Sequence, residues 1–167
     1  MRKLYLLLIP VIGIFSGCTK SVSNEESNAA QKRADEFQAS IKAHRYKPVA
    51  FYSDKPIDYI TNDNEVKSET DLWIYVKEYI KDDVNYFNNN GTVTIFQNAV
   101  KMTGNESPTI TADYGAMVVG KEVMFNFVDY NYVPTQYRLE QFDDAYFTVY
   151  VDGPAGSKLY SKFARVE

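Results

Sequence analysis

Side chains able to do chemistry are sparse in this chain of 167 residues, which has one histidine and one cysteine. A Ser-His-Asp or Cys-His mechanism needs a nucleophile and a base oriented by a third group. His44 stands beside Arg45 where helical spacing gives way to strand spacing, the setting of a solvated or capping residue. Zinc, which draws most of its ligands from Cys and His, is equally short of donors. Carboxylates occur as two adjacent pairs, Asp82-Asp83 and Asp143-Asp144. Glycoside hydrolysis needs two carboxyl groups facing each other across a substrate, whereas Asp at strand starts and turns serves the turn through its own backbone contacts. Asp54, Asp58, Asn62, Asp63 and Asn64 gather the oxygen ligands that hard cations take, in a spacing that fits no calcium loop. A Gly-rich phosphate loop is also missing. No catalytic residue, cofactor or metal is therefore expected, and the protein is read as no enzyme.

What Cys18 can do depends on the residues before it. Arg2 and Lys3 precede an apolar run from Leu4 to Phe15, and the small pair Ser16-Gly17 comes directly before the cysteine. A charged start, a short apolar stretch and a small-residue cleavage site, in that order, describe an export signal over residues 1–17. As a helix the run rises roughly 18 Å against a hydrocarbon core of about 30 Å, too little to span. Phe15-Ser16-Gly17-Cys18 resembles the lipobox of bacterial lipoproteins, in which the cysteine thiol is acylated and the chain is cut before it. The resemblance implies lipidation at Cys18 and a membrane partner held through that anchor. Each buried CH₂ contributes about 0.8 kcal/mol, so two or more acyl chains hold firmly where one is marginal. With Cys18 lipidated, no thiol is left for a disulfide. Thr19 is not the Asp that favours retention in the inner membrane, so the outer membrane is expected, on either its periplasmic or its outer side.

The chain after the signal is one domain's worth of sequence. A net charge of -4 argues against a nucleic-acid partner, which would need a basic face. Aromatic residues make up 15%, as 14 Tyr and 10 Phe against one Trp. Tyr and Phe favour pleated, half-buried surfaces, which predicts a mainly β domain.

Spacing along the chain supplies the elements. Residues 18–28 read as the lipidated cysteine and a solvated tether. From Ala29 to Ala43, Ala30, Ala34, Phe37 and Ile41 fall on one helical stripe. The period then changes to two, and Tyr46 to Tyr52 forms a first strand with Pro48 near its start. Residues 53–68 read as a long loop. Ser68 to Asp71 offers a cap for a short helix over about 70–81, carrying Trp73. Strands follow at Val84–Phe87, Thr92–Gln97, Ile110–Val119, Glu122–Tyr130, Thr135–Phe142, Tyr146–Val151 and Lys158–Val166, separated by turn residues such as Asn88 to Gly91. Eight sequential strands predict an up-and-down antiparallel barrel or sandwich, with a single domain over residues 29–167. Closure into a barrel is favoured because it hides both sheet edges.

The segment Lys81-Asp82-Asp83-Val84-Asn85-Tyr86-Phe87 with its Asn88-to-Thr92 turn, and the later Tyr137 to Phe142 followed by Tyr146 to Tyr150, resemble the lipocalin-like domains of small lipoproteins from gut-type Gram-negative bacteria. Such domains often begin with a Trp in the first strand, where Val49, Ala50 and Phe51 stand here. The resemblance implies a small eight-stranded barrel with an interior site for an apolar or amphiphilic small molecule, and it carries over no catalytic residue. Phe125 and Phe127 lie on a strand apolar on both faces, and Tyr146 and Tyr150 share one face of theirs. With Trp73, these are the residues expected to line such a site, since Tyr rings with a polar tip suit a semi-polar pocket. A filled core is the alternative. In that case the domain would be a surface interaction module, holding a protein or a glycan on exposed Tyr130, Tyr132 and Tyr137. A monomer is expected in either case.

Overall fold

The computed structural model describes residues 23–60, 64–100, 109–129 and 131–167. Cys18, the expected export signal over residues 1–17, Asn62, Asp63 and Tyr130 lie outside the described residues. Helix α1 spans Asn24–Ile41 and begins earlier than the apolar stripe suggests. Ser23 accepts from the Glu26 backbone N–H while the Glu26 carboxylate accepts from the Ser23 N–H, a reciprocal cap that carries the helix back over residues assigned to the tether. Its inward stripe is the predicted one: Ala30, Ala34, Phe37 and Ile41 are its buried residues.

Among the described residues ten antiparallel strands follow: β1 Arg45–Ile60, β2 Val66–Asp71, β3 Val84–Phe87, β4 Thr92–Phe96, β5 Thr109–Asp113, β6 Gly115–Val119, β7 Glu122–Val128, β8 Pro134–Phe142, β9 Tyr146–Asp152 and β10 Lys158–Val166. They form one hydrogen-bonded sheet in the order β5-β4-β3-β1-β10-β9-β8-β7-β6, with β2 paired to β1 alongside. The domain is mainly β, but the count differs from eight and the ladder is open between β5 and β6. Two local causes account for the difference. Residues 53–60 and 64–71, polar and Pro-containing, form an extension of β1 paired with β2, where Ile57 pairs with Glu69 and Ile60 with Val66. Nearly every side chain there is exposed or half-buried, so the apolar alternation that marks a strand is absent. The predicted strand Ile110–Val119 is interrupted at Tyr114, leaving β5 on β4 and β6 on β7. The short helix is also smaller than predicted: a 3₁₀ turn over Trp73–Tyr75, then α2 at Glu78–Lys81. None of the helices among the described residues is long and apolar enough to cross a membrane.

The sheet curls until its ends share one core. Phe87 of β3 lies 5.5 Å, ring to ring, from Phe127 of β7, and 6.0 Å from Phe147 of β9, although these strands are far apart in sheet order. Phe37 of α1 enters the same cluster, 5.0 Å edge-on from Phe125 and 5.5 Å from Phe147. Offset and edge-to-face rings contribute about 0.5–1.5 kcal/mol per pair beyond the area they bury. The end of α1 is tied to the sheet by Ala43 N–H donating to the Phe87 carbonyl at 2.8 Å. α1 therefore sits at the end where β1 begins and β10 finishes, with Arg45 opposite Val166, and Ser53 and Leu159 mark the opposite end.

Candidate functional site: a cup at the end opposite the helix

The five residues expected to line an interior site do not converge. Phe125 and Phe127 point inward into packed rings, 5.6 Å from each other, and Phe125 is fully buried. Tyr146 and Tyr150 stand on the other face of β9, because strand side chains alternate and Phe147 and Val149 take the inner face. There Lys162 Nζ lies 3.8 Å from the Tyr146 ring centre and Lys158 Nζ 4.4 Å from that of Tyr150. Trp73 is half-buried on its 3₁₀ turn, its ring 5.6 Å from Lys81 Nζ and its backbone N–H donating to Asp71 Oδ1 at 3.0 Å. A hollow interior lined by these side chains is thus replaced by a filled one, because Phe37, Phe87, Phe147 and Phe163 occupy the space.

The proposed exposed patch also differs from expectation. Tyr137 is buried, at 6% exposure, and Tyr132 is half-buried with its hydroxyl spent inward. The outer face instead carries a transverse row, Tyr52-Tyr160-Tyr150-Arg138-Met124-Met117, each residue the register partner of the next. Tyr52 and Tyr160 stack at 5.0 Å with 10° between planes. Arg138 is held by Glu122 at 3.1 Å and Asp152 at 2.8 Å.

Concave space lies at the end away from α1. A cup of about 310 Å³ is lined by Phe51, Tyr137, Val151 and Leu159, with Thr135, Ser161, Asn131 and Asp129 as its polar members. A recess of about 190 Å³ adjoins it, sharing Phe51 and Asn131 and adding Tyr75, Val76 and Ile80. Small-molecule sites are concave and mostly apolar with a few placed polar groups, and about 300 Å³ is the lower end of their size range. These apolar residues come from β1, β8, β9 and β10, on the inner face just where the aromatic packing stops.

Beneath the cup is a polar cluster that spacing alone does not reveal. The Asp82-Asp83 pair splits its duties. Asp82 Oδ2 accepts from the backbone N–H groups of Ala99 at 2.9 Å and Val100 at 3.1 Å, tying the chain before β3 to the segment after β4 and not serving a turn of its own. Asp83 is buried, at 2% exposure, and its Oδ2 accepts from the Tyr132 hydroxyl at 2.6 Å. Burial raises the Asp83 carboxyl from 3.8 to about 6; the Tyr132 hydrogen bond opposes the rise and the neighbouring Asp82 charge adds to it. Tyr132 reaches Asp83 from a turn in which Asp129 Oδ1 accepts from the N–H groups of Asn131 at 2.7 Å and Val133 at 2.9 Å. Its φ of +59° is a left-handed conformation that bulky residues seldom adopt. Burial, and then the bond to Asp83, hold the Tyr132 phenol protonated well above its ordinary range.

The remaining candidates behave as structural groups. Asp143 Oδ1 accepts from the N–H groups of Ala145 and Tyr146 at 2.7 and 2.9 Å, which closes the turn before β9. Asp54 Oδ1 accepts from the Lys158 N–H at 2.7 Å. His44 Nδ1 is 2.9 Å from the Arg165 guanidinium, at the helix-to-strand junction. Among the described residues no three His, Cys, Asp or Glu side chains gather as metal ligands would. No family model matches the chain, and neither does any curated protein or solved structure.

Proposed function

We propose that this protein is a membrane-tethered binder of a small apolar or amphiphilic molecule, seated in the cup at the end of the sheet opposite α1. The observation that supports it is the cup itself: about 310 Å³ of concave space with Phe51, Val151 and Leu159 as apolar walls and Ser161 and Thr135 as polar points. The packed interior moves the ligand from the middle of the sheet to its mouth. A lipocalin-like, eight-stranded barrel is the architecture we ascribe to it. β1 pairs with β10, and only Tyr114 separates β5 from β6. Counting β5 and β6 as one bent strand, with the β2 hairpin set aside, gives eight strands in cyclic sequence order.

The tether is lipidated Cys18, and the outer membrane is its expected site. Ser23, which caps α1, is close enough in sequence to Cys18 that the connecting residues reach at most about 3.3–3.6 Å each. The domain would therefore stand near the lipid surface.

A thermal-shift series with fatty acids, bile acids and haem tests the binding. A true ligand at about 100 times its dissociation constant stabilises by about 2.7 kcal/mol. Leu159→Arg, which places a charge in the cup, should abolish the shift. Stabilisation unaffected by that substitution would remove the cup from the account. A second reading, a surface module for a protein or glycan, is favoured by the outer Tyr52-Tyr160-Tyr150 row with Lys158 over its Tyr150 ring. It predicts binding lost on Tyr160→Ala and retained in Leu159→Arg.

A further inference from the structure

Among the described residues, the buried side-chain N and O atoms without a hydrogen-bonding partner are Asp82 Oδ1, Asp83 Oδ1, Gln97 Oε1 and Thr148 Oγ1. Asp83 and Gln97 belong to one hydrogen-bonded cluster through Tyr132, to whose oxygen Gln97 donates its Nε2–H at 3.3 Å. Tyr132 has one proton to give and gives it to Asp83 Oδ2. The cluster is thus short of donors, and an unpaired buried carboxylate oxygen is costly to leave so.

Asp83 also faces a void. About 20 Å³ of space is bounded by Asp83, Asn85, Tyr132, Phe127, Ile80 and Asp129, enough for one water-sized group. Asp129 borders both this void and the cup, and Ile80 both the void and the adjoining recess. We infer that the cup takes an amphiphile with a primary ammonium head, the head seated in this void beside the Asp83 carboxylate and the apolar tail lying along Phe51, Val151 and Leu159. The inference rests on the cup being the ligand site. A primary ammonium is water-sized, carries three donors and no acceptor, and brings the charge that a buried carboxylate lacks. A trimethylammonium head is too large for the void and has no N–H to give. A carboxylate head would set like charges together.

Four short probes with one tail separate these cases: hexylamine, hexanol, hexyltrimethylammonium and hexanoate, titrated calorimetrically into the full chain in lipid nanodiscs with empty nanodiscs as blank. Hexylamine should bind at least about ten-fold more tightly than the other three, the scale of one charge-assisted hydrogen bond. Asp83→Asn should bring hexylamine to the level of hexanol and leave hexanol unchanged. Equal binding of hexylamine and hexanol to the unmutated protein overturns the head-group assignment while the cup stands. If no probe binds, the cup falls and the assignment falls with it. The unmutated comparison decides the matter even if Asp83→Asn does not fold.

Discussion

A carboxyl group raised from 3.8 to about 6 by burial makes Asp83 a net cost to the fold whenever it is ionised. Its folded value lies above its unfolded one, so the folded protein binds the proton more tightly. The stability linked to this proton is fully present below about pH 4 and is lost as pH rises toward 6. Asp83→Asn removes the titration and keeps the shape. Relative to the unmutated protein, the variant should therefore gain more in Tm at pH 7.5 than at pH 4.5, read by thermal melts at both values. An identical difference at the two pH values would show that Asp83 does not carry this proton. The role of Asp83 could not be found from its neighbours in sequence. Asp82-Asp83 reads as a turn pair, yet Asp82 accepts from the backbone N–H groups of Ala99 and Val100, far along the chain, and Asp83 is buried. Tyr132, farther still, meets Asp83 from a turn held by Asp129, a contact that no local spacing announces.

At the scale of elements, α1 joins the aromatic core through one ring. Phe37 is fully buried and meets Phe125, Phe142 and Phe147. Phe37→Ala should cost about 3–5 kcal/mol in urea unfolding, the range for a large buried ring cut to a methyl group. A loss under about 1 kcal/mol would mean that the helix is not part of the core. The helical stripe, β3, β4 and β7 to β10 were legible in sequence because each has one apolar face against this core or a clear turn beside it. The β1 extension and β2 were not, since they bury almost nothing and carry the composition of a loop. The Ser23–Glu26 cap was visible as Ser-x-x-Glu, and reading it would have placed the helix start correctly. The inward set Phe87, Phe147 and Phe163 follows from alternation, but whether such a set encloses space or fills it depends on how far the sheet curls. That curl is a property of strands distant in sequence.

At the scale of the whole molecule, the proposed protein is a lipid anchor joined to a mouth-end binding cup. Acid hydrolysis and mass spectrometry of the native protein should find Cys18 acylated and N-terminal; an unmodified thiol there would contradict the tether. Binding is the more central claim, and it has one direct reading. A diazirine-bearing alkyl probe, photolysed on the full chain in nanodiscs and located by peptide mass spectrometry, should label the cup, at Phe51, Val151 and Leu159. Labelling confined to the outer face around Tyr146, Tyr150 and Tyr160, or spread evenly over the surface, would contradict it.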